Sequence, residues 1–110
     1  MLGVRLYFLQ RLTAMIMAPL VLGHLGLMII AVRGGLTAAE ILSRTQGSVG
    51  WALFYGIFVV AVATHAAIGL RVIVAEVLGA GERVLNILTL ILFIAFLYFG
   101  LQAVYAVVVT

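Results

Sequence analysis

The sequence predicts an all-α integral membrane fold built from three transmembrane helices. Composition is the first reason: 67% of the 110 residues are hydrophobic, against roughly half in soluble domains. The second is the placement of charge. Arg5, Arg11, Arg33, Arg44, Arg71 and Arg83, with Glu40, Glu76 and Glu82, stand singly around apolar runs, as residues do at the ends of membrane spans. The third is length. A bilayer core about 30 Å thick takes a helix of roughly 20 apolar residues, and three charge-free stretches reach that. Open strands would leave backbone groups unpaired in lipid, so the spans are helices.

The first span is expected over 11–33, with Leu12 to Val32 free of charge. Pro19 inside it removes one backbone bond and kinks the helix. In the connection from Gly34 to Gly50, Thr37-Ala-Ala-Glu40 has the capping-box pattern and predicts a short interfacial helix over 38–44. Gly47 and Ser48 end it. The second span is expected over 51–79, running past Arg71. Gly79-Ala-Gly-Glu-Arg83 is a tight turn, which makes the second and third helices antiparallel neighbours. The third span, over 84–109, carries no charge and reads as support. Residues 1–110 thus form one membrane domain. The first apolar run is too long for the core of a signal peptide, and no small-residue cleavage site follows it.

Arg5, Arg11 and Arg83, with Arg71 near them, gather at one end, and Arg33 and Arg44 at the other. The excess predicts a cytoplasmic N-terminus and a C-terminus outside. A net charge of +3 scattered as single arginines gives no basic patch for nucleic acid. The absence of cysteine rules out a disulfide framework, a thiolate nucleophile and iron–sulfur ligands from this chain.

His24 and His65 are the only histidines, and both fall inside spans. Ionisable groups at that depth are costly and usually functional; the plainer reading of each is a hydrogen bond to a neighbouring helix. Fourteen residues separate Gln10 from His24, and fourteen separate His65 from Gly79. In antiparallel helices rising 1.5 Å per residue, both imidazoles then lie roughly 21 Å from one face. Counted from the other face, the step from His24 to Arg33 is nine residues but that from Trp51 to His65 is fourteen, a mismatch of about 7 Å. The pair is compatible with one shared metal without requiring it. Ala61 and Gly69 stand one turn either side of His65, and Gly23 and Gly26 flank His24. Such residues either let helices pack closely or leave a slot for a flat cofactor. A histidine at the centre of each face favours haem, whose iron accepts axial imidazoles.

Arg11 and Arg71 either snorkel to headgroups or hold haem propionates or a quinone head group. Glu76 is placed to pair with Arg71 or Arg83, or to pass protons. Tyr7, Gln10, Arg11 and Thr13 are the polar groups available to a quinone at the start of the first span.

Gln10-Arg11-Leu12-Thr13-Ala14 resembles the (H/Q)-R-x-(S/T)-(G/A) element of the membrane-anchor (cytochrome b) subunits of succinate dehydrogenase and fumarate reductase. His65-Ala-Ala-Ile-Gly69-Leu-Arg71, followed by Glu76, resembles their H-x-x-x-G-x-R…(D/E) element. Chain length and the three-helix plan agree. The resemblance implies a haem b ligand at His65, a propionate contact at Arg71, and a quinone and propionate region at Arg11 and Thr13. It further implies flavoprotein and iron–sulfur partners, with a second anchor subunit or a second copy of this chain, in a bacterial-type inner membrane or an equivalent energy-coupling membrane. Val72 stands where many members have a second histidine. Tyr7 replaces a frequent serine, and Glu76-Val77 stands near the place of an Asp-Tyr pair.

The expected function is therefore that of an anchor subunit which binds haem b and helps form the quinone site of a succinate:quinone oxidoreductase-type complex. His24, or a histidine of a partner, would complete the haem. A cofactor-free structural anchor and another small b-type cytochrome are the competing readings.

Overall fold

The computed structural model describes residues 2–109. Four helices follow one another: α1 (Leu2–Arg33), α2 (Ala38–Thr45), α3 (Val49–Leu78) and α4 (Glu82–Val108). Among the described residues there is no strand. The helices α1, α3 and α4 are long and apolar enough to cross a membrane, and the bundle measures 49 × 23 × 23 Å. The three-span architecture expected from the sequence is the one found.

Its boundaries differ from expectation most at the N-terminus. Helix α1 begins at Leu2 rather than near residue 11 and runs through Arg5 and Arg11 without a break. Arginine is a good helix former, and on an exposed face its head reaches polar surroundings from inside a span. Charge marked the edge of the apolar run, not the end of the helix. The other ends have local causes. Ser48 accepts a hydrogen bond from the Trp51 backbone at 3.3 Å and starts α3. Gly79, at φ 63°, closes it in the left-handed conformation that glycine adopts without strain.

The short α2 carries the expected capping box. Thr37 Oγ1 accepts from the Glu40 backbone N–H at 3.2 Å, and Glu40 Oε1 accepts from the Thr37 backbone N–H at 3.1 Å. That backbone bond, and a second from the Thr37 hydroxyl to Glu40 Oε1 at 3.1 Å, hold the Glu40 carboxyl below its ordinary value. The far end of α2 ties to α4. Thr45 Oγ1 donates to the Val107 carbonyl at 2.6 Å, and the Gly47 N–H donates to the Val108 carbonyl at 2.7 Å. Carbonyls left over at the end of a helix are thereby satisfied.

Helix α3 is central, with α1 on one side and α4 on the other. Its buried residues are Ala61, Ala63, Ala67 and Ile68. Small residues allow the backbone approach on which helix packing in lipid depends. Gly100 of α4 abuts Val59 of α3. Large apolar side chains such as Met15, Val32 and Val77 point outward, as a lipid-facing surface requires.

Candidate functional site

The site is organised by the packing of α1 on α3. Thr13 is buried, with 6% of its surface exposed, and its Oγ1 lies 3.3 Å from Nδ1 of His65. The same hydroxyl lies 2.8 Å from the Leu9 carbonyl and 3.1 Å from that of Gln10. Four residues beyond His65, a Cβ built on Gly69 would stand 3.5 Å from Nε2 of Gln10. The imidazole is half-buried. Its Nε2 has no hydrogen bond among the described residues and is not one of the enclosed unpaired atoms. That nitrogen is therefore not fully enclosed by the chain.

His24 stands elsewhere. Its ring meets Tyr55 edge-on at 5.7 Å and Phe58 at 5.6 Å, while Trp51 stacks on Tyr55. His24 Nδ1 is buried without a partner. A groove of about 570 Å³ between α3 and α4 is lined by His24, Tyr55, Phe96 and Gly100, but not by His65.

These contacts correct the depth expected for the two histidines. Thr13 is level with His65, and His24 follows Thr13 by eleven residues on the same helix, an axial step of roughly 16 Å. Measured along α3, Phe58 precedes His65 by seven residues, or about 10 Å. An iron bonded to two imidazoles at about 2 Å each, as in other imidazole–metal bonds, cannot join groups so far apart. The equal-depth estimate failed because it set Gln10 level with Gly79, whereas Gln10 packs on Gly69. The count from the opposite end, which put His24 nearer that face, had the right sign.

The small residues beside His65 also resolve. Ala61 is buried, and a Cβ on Gly69 would meet Gln10 at ordinary contact distance, so within this chain both let helices approach. Arg71 turns the other way: its Nη1 donates to Thr89 Oγ1 of α4 at 3.2 Å, and Thr89 donates to the Leu85 carbonyl. Neither Thr89 nor Gly100 stands in a motif that points to it. Glu76 is exposed. The residues expected around a quinone fall on two faces of α1. Gln10 and Thr13 pack toward α3, whereas Tyr7 and Arg11 are exposed, with Arg11 Nη1 donating to the Tyr7 hydroxyl at 3.4 Å.

His65 is the side chain of this arrangement that could serve a haem as an axial ligand. Among the described residues no three His, Cys, Asp or Glu side chains cluster to hold a bare ion. A haem brings its own ring nitrogens and asks the protein only for axial ligands. The Nε2 of His65, without a hydrogen bond among the described residues, could meet that demand. The second axial ligand would come from outside the α1–α3 pair.

Residues 1–102 match the family model of the succinate dehydrogenase/fumarate reductase transmembrane subunit. The chain belongs to that family. No match was found among curated proteins or solved structures. As a succinate dehydrogenase/fumarate reductase transmembrane subunit, the chain is a multi-pass membrane anchor within a complex of such subunits. The element around Gln10 and the element around His65, which carried the resemblance, are the two segments that meet at the α1–α3 contact.

Proposed function

We propose that this anchor subunit binds haem b through Nε2 of His65 and forms part of a quinone site at the N-terminal end of α1. The observation that carries the proposal is the histidine itself. It stands with Nδ1 3.3 Å from the hydroxyl of a buried threonine on the neighbouring helix, and its other nitrogen has no hydrogen bond among the described residues. Haem held by an imidazole supplies a carrier of single electrons between donor and acceptor. In this chain the Thr13–His65 contact orients the ring and the Gln10–Gly69 contact holds α1 against it. The second ligand comes from another anchor subunit or a second copy of the chain, because His24 lies too far along α1.

At the quinone, the exposed Arg11 and Tyr7 are the donors to the quinone oxygens, and Glu76 is the proton-carrying group at the same end. Flavoprotein and iron–sulfur subunits deliver electrons there from a dicarboxylate that this chain does not touch. The N-terminal end, richer in arginine, faces the cytoplasm, in an energy-coupling membrane.

A reduced-minus-oxidised optical spectrum of the purified complex tests the haem. A b-type α band assigned to this subunit is the expected result. Its absence would favour a cofactor-free anchor.

A further inference from the structure

We infer that Thr13 is a positioning residue that fixes the tautomer of His65, keeping the proton on Nδ1 and leaving Nε2 as a bare lone pair. A threonine hydroxyl has one proton and two lone pairs. Around Thr13 Oγ1 stand the Leu9 carbonyl at 2.8 Å, the Gln10 carbonyl at 3.1 Å and His65 Nδ1 at 3.3 Å. The two carbonyls only accept, and they are the nearer partners, so the hydroxyl proton goes to them. What faces Nδ1 is then an oxygen lone pair, and the ring meets it favourably only by donating an N–H. The neutral imidazole carries one proton; with Nδ1 protonated, Nε2 is basic. Burial strengthens the preference, because an acceptor facing an acceptor away from water leaves both unsatisfied.

The consequence for a metal rests on the proposed haem reading, whereas the tautomer does not. An imidazole that donates from one nitrogen is a better oriented and more basic ligand at the other, and loss of such a partner typically weakens metal binding 10–100-fold. Thr13 would therefore serve the site without touching haem or quinone.

The test is nitrogen-15 NMR of the histidine-labelled full-length chain in detergent, without haem, at alkaline pH. His65 should show a protonated Nδ1 and a pyridine-type Nε2. A wild-type ring protonated at Nε2 would overturn the inference without any variant. Thr13→Val, which keeps the shape and removes the hydroxyl, should lose the single-tautomer signature, and Thr13→Ser should restore it. A Thr13→Val spectrum identical to wild type would also overturn it. In the haem-loaded complex, Thr13→Val should weaken haem binding 10–100-fold and raise the midpoint potential, with Thr13→Ser close to wild type; unchanged affinity and potential would contradict the positioning role. Should the tautomer prove correct and His65 bind no haem, the proposed function would fall and this inference would stand.

Discussion

Gly100 of α4 rests against Val59 of α3 so closely that a Cβ built on it would come within 2.5 Å of Val59 Cγ1. Valine is branched at Cβ and has little rotamer freedom in a helix, so it cannot swing aside. Gly100→Ala should therefore push α4 off α3 and destabilise the bundle by about 1–3 kcal/mol, the usual cost of overpacking. Gly26→Ala is the control, since a Cβ there meets nothing within 4 Å. Unfolding in mixed detergent micelles should separate the two variants. Equal stability would show that the Val59–Gly100 contact does not set the helix separation.

This contact was not legible in the sequence, and the reason is physical. A glycine in an apolar span is equally consistent with a lipid-facing position and a helix crossing, and only the rotation of α4 about its axis decides. The same gap explains Arg71, whose neighbour in sequence suggested Glu76 but whose partner is Thr89 across the bundle. Features written locally were legible: three spans from length and charge, the Thr37–Glu40 capping box, the turn at Gly79 and the motif around His65. Relative depth was not, because α1 continues through Arg5 and Arg11 to Leu2. That error alone placed His24 opposite His65.

Gly69 should respond to size. A Cβ there would sit at 3.5 Å from Gln10 Nε2, an ordinary contact, so Gly69→Ala should keep the bundle intact. Gly69→Leu should displace Gln10 and lengthen the Thr13–His65 contact four residues away. The His65 ring signals in the NMR experiment provide the readout. Identical spectra for alanine and leucine would argue against close α1–α3 packing at this level.

The capping box makes α2 sensitive to acid. The Glu40 carboxylate is held below its ordinary value of 4.5 by the Thr37 backbone and hydroxyl. Because the folded state lowers the value, the contribution is fully present above the unfolded value. It fades as pH falls below that point and is lost once pH passes through the folded value. Amide protection in α2, relative to the intrinsic exchange rate at each pH, should thus fall in acid in the wild type, while Glu40→Gln should show lower protection at neutral pH and little further change. Acid-independent protection in the wild type would count against the cap.

The proposed sidedness rests on the arginines and is simple to probe, because the chain has no cysteine of its own. Ala80→Cys, in the turn between α3 and α4, should react with an impermeant maleimide only after the membrane is opened. Ser43→Cys, on α2, should react in intact cells. The reverse pattern would invert the proposed topology.

The two histidines divide the account most sharply, since only one of them is offered as a haem ligand. The decisive measurement is the haem b content of the purified complex, by pyridine haemochrome, for His65→Ala and His24→Ala. The account predicts loss of the haem in His65→Ala and near wild-type content in His24→Ala. Full haem content in His65→Ala, or loss confined to His24→Ala, would contradict it.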